Sequence, residues 1–140
     1  MKRSESIEKL TIALSKVHNE LNHFKTDKAG YNFSYLSTSE IYRIALPILS
    51  KYGLALSSTN NVFVRDALPW VKVQTTLFLG DEFIANETSF PMLQPTKKTD
   101  TDIMCYGSTV SYLIRYNVQG LLSIAGSDKD AEQISAENIE

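Results

Sequence analysis

Cysteine is nearly absent from this chain. The lone Cys105 excludes a disulfide framework within it and any cysteine-based metal site, and it points to a reducing compartment. Long apolar runs are missing too. Glu5, Glu8 and Lys9 interrupt the stretch that Lys2 and Arg3 open, and no segment approaches the roughly 18 apolar residues of a membrane span. A soluble, cytoplasmic protein is expected. No G-x-x-x-x-G-K-[ST] loop occurs, so hydrolysis of a nucleoside triphosphate has no visible phosphate cradle. Histidine is confined to His18 and His23, five apart and without an adjacent ligand set, which disfavours a metal site. No cofactor is expected.

What is present suits one globular domain: 140 residues, 43% of them hydrophobic, enough to bury a core without cross-links. The net charge of -2 argues at first against a polyanionic partner. Its distribution changes that inference, to one compatible with DNA binding that does not demand it. From residue 127 onward Lys129 stands alone against Asp128, Asp130, Glu132, Glu137 and Glu140, whereas residues 1–126 carry 13 basic and 11 acidic groups. The reading is a weakly basic domain over 1–126 followed by an acidic tail over 127–140. With only Ile134 and Ile139 as large apolar residues, the tail is predicted to be disordered.

Ile7, Leu10, Leu14, Val17, Leu21 and Phe24 recur at alternating steps of three and four, predicting a helix with a narrow seam. That seam fits either packing within the chain or a neighbouring subunit. Ser37 with Glu40 forms a capping box that opens a second helix through Ile41, Ile44, Ala45 and Ile48; Pro47 interrupts it and Gly53 closes it. The period then changes from 3.6 to 2. Leu54 and Leu56 alternate with small residues, Asn60-Asn61 is a candidate tight turn, and Val62–Arg65 reads as a return strand or a bulged continuation. Val71, Val73, Thr75 and Leu77 share one face of a strand whose other face carries Lys72, Gln74 and Thr76. Gly80-Asp81 turns the chain into a strand from Phe83 to Phe90. A last helix starts near Thr101 or Asp102, with Ile103, Val110, Ile114, Val118 and Leu121 on its apolar side. Gly107 and Ser111, one turn apart, predict close packing of this helix on the sheet. The fold class is α+β: N-terminal helices, an antiparallel meander of three to four strands, and a helix packed on it, a β-β-β-α core.

On the last helix Tyr112, Arg115, Tyr116 and Gln119 fall on one face at i, i+3, i+4 and i+7. Rings beside a permanently charged guanidinium can stack on a base and neutralise its phosphate. The same residues also suit a helix whose tyrosines pack at the rim of a sheet, with the arginine stem covering apolar surface. A second cluster places Tyr31, Phe33 and Tyr35 among Lys25 and Lys28, where a connector capping the core is the simpler reading. Lys72 lies on the polar strand face and Lys97-Lys98 in the connection before the last helix; solvated surface is the plain interpretation of each. Asp66, Asp100 and Asp102 are the carboxylates to weigh for a second reading, since carboxylates near a basic loop can hold magnesium. A magnesium-dependent DNA-processing enzyme would need them as ligands, but Asp102 also suits a helix cap and Asp66 a turn.

Three blocks carry a resemblance: the aromatic segment ending at Tyr35, the run A-L-P-I-L-S-K-Y-G-L from Ala45 to Leu54, and G-S-T-V-S-Y-L-I-R-Y from Gly107 to Tyr116. Together they resemble the ERF (essential recombination function) family of phage single-strand annealing proteins, itself similar to the ring-forming annealing domain of eukaryotic recombination mediators. The third block is the most diagnostic. The first departs from the family pattern, with Ser34 where members commonly carry a basic residue. The resemblance implies a non-enzymatic, ATP-independent protein that binds single-stranded DNA and anneals complementary strands as an oligomeric ring or helical assembly. It would act in the cytoplasm of a bacterial host, where a host or phage single-strand-binding protein or an exonuclease would be its protein partner. The candidate DNA contacts are Arg115, Lys25, Lys28, Lys72, Lys97 and Lys98 for phosphates, and Tyr31, Tyr35, Tyr112 and Tyr116 for stacking. A passive single-strand coat is the remaining alternative.

Overall fold

A computed structural model describes residues 2–27 and 37–124, giving the backbone alone for 23–27. Seven elements follow in order: β1 (Lys2–Arg3), α1 (Glu8–Asp27), α2 (Thr38–Lys51), β2 (Ala55–Arg65), β3 (Leu68–Leu79), β4 (Glu82–Pro91) and α3 (Asp102–Leu122). The strands form one antiparallel sheet in the order β1-β4-β3-β2. The α+β class and the helix on a meander are as expected. The edge strand β1 is an addition: two charged residues give no period-2 signal, and Lys2 and Arg3 pair with Ala85 and Ile84 while Ser4 beside them bonds Phe83.

α2 begins where the capping residues predict. Ser37 Oγ accepts the Glu40 N–H at 3.2 Å, satisfying one of the four unpaired donors of a helix start. The box is half closed, because the Glu40 carboxylate pairs with Arg43 at 2.6 Å. The helix continues through Pro47 and ends at Gly53, whose φ of 78° is cheap only for glycine. The first turn of α1 is capped from a distance: the buried Glu82 carboxylate at the start of β4 accepts the Leu10 N–H at 2.8 Å.

The β2–β3 turn corrects the sequence reading. Asn60 and Asn61 lie inside a continuous strand, paired with Val73 and Lys72, and the turn falls at Asp66-Ala67 with φ of 54° and 61°. A two-residue hairpin whose twist matches its strands needs both central residues at positive φ. Pairing of Val62–Val64 with Pro69–Val71 moves that requirement six residues past the asparagines.

Two core clusters join along the sheet. Leu10, Val17 and Leu21 of α1, Ile41, Ala45 and Leu49 of α2, Leu77 of β3 and Val118 and Leu122 of α3 form the larger. The α1 seam thus packs within the chain. Val71, Val73 and Leu113 form the smaller, and Ile114 packs against both. Between them Asn117 is fully buried. Its amide donates to the Val73 carbonyl at 3.1 Å and to Thr75 Oγ1 at 3.2 Å, and its oxygen accepts from the Thr88 hydroxyl.

The expected Val118 and Leu121 of α3 are buried and Val110 and Ile114 pack against the core, but the buried face is wider than expected, taking in Cys105, Thr109, Leu113 and Asn117, four residues apart. Ile103 is 73% exposed. Gly107 is exposed with open space around it, so it does not bring α3 onto the sheet. The close approach is at Gly120, where a Cβ would lie 3.3 Å from Asn86 Nδ2. Ser111 does meet a neighbour, but on α2: the Thr38 hydroxyl lies 2.8 Å from the Ser111 carbonyl and 3.1 Å from its hydroxyl.

Candidate anion-binding site

That Thr38–Ser111 contact sets the first turn of α2 against the exposed side of α3. Between them lies a cavity of about 290 Å³ lined by Ser37, Thr38, Ser108, Ser111, Tyr112 and Arg115. Hydroxyls supply most of its polar surface, and the helix α2 directs the positive end of its dipole to it. Arg115 supplies the formal charge. Its guanidinium lies 5.2 Å from the Tyr112 ring centre and 5.1 Å from that of Tyr116, with Nη2 3.3 Å from the Tyr116 hydroxyl. Both rings remain about half exposed. Arg115 Nε is buried without a hydrogen-bond partner. A guanidinium stacked on two rings, beside hydroxyl donors and a helix N-terminus, can hold a tetrahedral oxyanion through charge-assisted hydrogen bonds.

The predicted contacts do not all converge here. Tyr112, Arg115 and Tyr116 form the site, but Gln119, expected on the same stripe, is buried. Lys97 and Lys98 lie in the connection before α3, roughly 20 Å along the helix from Arg115. Asp100 fixes the turn that holds them: its carboxylate accepts the N–H groups of Thr96 at 2.9 Å and Lys97 at 3.0 Å, and those bonds hold its pKa below the usual carboxylate value. Lys72 is on the opposite face of the sheet, 3.8 Å from Glu87. Lys25 falls in the last turns of α1, where only the backbone is described. Lys28, Tyr31, Tyr35 and the 127–140 tail lie outside the described residues.

The sequence reading missed a second cationic and aromatic cluster, on that opposite face. Arg65 lies 4.6 Å over Trp70 and 5.4 Å from Phe63, and Lys72 is 5.7 Å from Phe63. Its signal was available as period-2 spacing, Phe63 with Arg65 and Trp70 with Lys72, but the asparagine turn broke β2 ahead of it. Of the carboxylates considered as metal ligands, Asp66 lies in the hairpin turn and Asp102 in the first turn of α3. Among the described residues no group of three histidine, cysteine or acidic side chains could hold a metal ion, and no helix is long and apolar enough to cross a membrane.

Fold and site together define a class: an α+β domain whose sheet-packed helix displays a hydroxyl-lined, arginine-bearing pocket. A model of the ERF superfamily matches residues 10–140, and the chain belongs to that superfamily. Membership associates it with DNA recombination and strand annealing. Comparison with curated proteins and with solved structures gives no match.

Proposed function

We propose that the protein binds single-stranded DNA and promotes ATP-independent annealing of complementary strands as a ring or helical assembly of its own copies. The Arg115 pocket is the observation that supports this most directly. Its donors are those that address phosphate: a guanidinium, several hydroxyls and a helix N-terminus. Phosphate contacts position a strand without reading its sequence, as annealing of arbitrary complements requires. Tyr112 and Tyr116 flank the guanidinium and hold it in place, and Tyr112, which also lines the pocket, is the ring offered to a base. Lys97 and Lys98 extend the basic surface along the flank of α3. Lys25, Lys28, Tyr31 and Tyr35 complete the set by their nearness in sequence to Ser37. The chemistry is non-covalent, with no metal or nucleotide cofactor. A single-strand-binding protein or an exonuclease is the protein partner this role calls for, and the cytoplasm its place of action.

The test is annealing of complementary oligonucleotides without nucleotide, with affinity measured across a salt series. Single-strand binding by n phosphate contacts gives a log-log salt slope of about -0.7 per contact. Arg115→Ala is expected to weaken binding and annealing and to make the slope shallower by about 0.7, with the far-UV spectrum unchanged. A slope near zero overturns phosphate capture. Binding without faster duplex formation would make the protein a passive coat, and shortened DNA in the presence of magnesium would make it an enzyme.

A further inference from the structure

Among the described residues β2 is a long edge strand without protection. Its 11 residues match β3 one for one from Ala55 opposite Phe78 to Arg65 opposite Leu68, with no bulge, proline or lysine, the devices that ordinarily keep edges from pairing with other chains. Two side chains near its tip, Val62 and Val64, lie on the helix-facing side, yet they are 50% and 74% exposed. The other side of the sheet is open as well. β1 covers β4 only at Ile84 and Ala85, so among the described residues Asn86–Pro91 has no strand neighbour on that side. Above this open stretch, on the same helix-facing side, lies an apolar groove of about 510 Å³ whose walls include Phe90, Leu93, Tyr112, Leu113 and Tyr116.

The two open edges are complementary. β2 and β4 are each antiparallel to β3 and therefore parallel to one another. Val71 of β3 stands opposite Val62 on one side and Phe90 on the other. A copy that keeps its helices on the same side of the sheet can lay its β2 along β4 as a parallel strand. In that register Val62 comes level with Phe90, and Val64 lies just past the end of β4. Ser58–Phe63 then runs beside the open stretch Asn86–Pro91, residue for residue.

We infer that Ser58–Phe63 pairs with Asn86–Pro91 of a second copy of this chain and seats Val62, with Val64 just past the end of β4, in the groove formed by Phe90, Tyr112 and Tyr116. The contact joins two different surfaces, so it is head-to-tail and propagates into a ring or a filament. It supplies the interface for the assembly proposed above; it rests on that reading for the existence of an assembly, and not on DNA binding. Tyr112 borders both the anion pocket and this groove, so the interface adjoins the proposed strand path.

The test is made without DNA on the full chain carrying Cys105→Ser. Val62→Cys and Phe90→Cys are placed on separately tagged chains, confirmed as assembled by mass photometry, mixed, and treated with a short bis-maleimide. Cross-linking between the two variants is expected, with neither variant cross-linking to itself. Val62→Cys joined to itself would show a symmetric β2–β2 contact and overturn the inference, as would assembled protein that yields no mixed product. Val64→Lys is the independent variant, since Val64 touches little in the isolated chain. It is expected to raise the concentration needed for assembly at least about tenfold, the worth of one buried valine, with the far-UV spectrum unchanged. Wild-type assembly by Val64→Lys overturns the inference. A chain that never assembles overturns the oligomeric reading itself, which separates the two failures.

Discussion

Arg115 shows what a single side chain gains from its neighbours. Stacking on Tyr112 and Tyr116 holds a long, rotamer-rich arm near one position before any ligand arrives, which lowers the ordering cost of binding. The stripe was legible because helical spacing alone sets these three residues on one face. The partners that make it a pocket, Ser37 and Thr38, are more than 70 positions away in sequence and could not be read from spacing. His18 is the residue whose titration matters for stability. It faces a small cavity with Leu21, Asn22, Leu122 and Ile124, its Nε2 is buried without a partner, and burial lowers its pKa from the usual 6.5. A lowered pKa means that the unfolded chain takes up the proton first. The contribution of neutral His18 is therefore complete above about pH 6.5 and is lost as the pH falls below it toward the folded-state value. Denaturation midpoints measured between pH 7.5 and pH 5 are expected to fall in the wild type and to fall less in His18→Gln.

At the scale of elements, the α3–sheet contact depends on a polar residue in an apolar layer. Asn117 bonds β3 through Val73 and Thr75 and bonds β4 through Thr88. These bonds fix both the height and the rotation of the helix, and so the direction in which Arg115 points two residues earlier. Asn117→Ala leaves the Thr75 and Thr88 hydroxyls buried with fewer partners and is expected to cost roughly 1–3 kcal/mol, read as a lower midpoint in urea at unchanged m-value. It is also expected to weaken DNA binding, although Asn117 is fully buried and cannot touch DNA. The helices and most strand positions were legible, because caps, glycine closures and hydrophobic period are local. The full width of the buried face of α3 was not. Cys105, Thr109 and Asn117 read as weakly polar in a list of residues, and only the sheet beneath them makes that row buried as well. The asparagine pair misled for a related reason: strand pairing, a non-local constraint, overrode a local turn preference.

On the scale of the whole molecule, the sheet separates two cationic surfaces. α3 presents Arg115 on one face, and the β2–β3 hairpin presents Arg65 and Lys72 with Phe63 and Trp70 on the other. Groups this far apart with no shared partners act additively. Lys72→Ala is expected to leave the affinity for an oligonucleotide of a few residues unchanged while weakening a strand long enough to reach both faces. Titrations against a length series check this. Equal weakening at all lengths would place Lys72 in the same short site as Arg115.

The sequence by itself determined an α+β fold with helices before and after a meander, and the family to which the chain belongs, because caps, alternation and motif spacing are properties of neighbouring residues. Tertiary structure decided how wide a face of α3 is buried, where the hairpin turns, that the candidate cations divide between two faces, and that among the described residues two strand edges remain open. Each of these depends on what a residue meets across the sheet, and long-range pairing leaves no mark in local spacing.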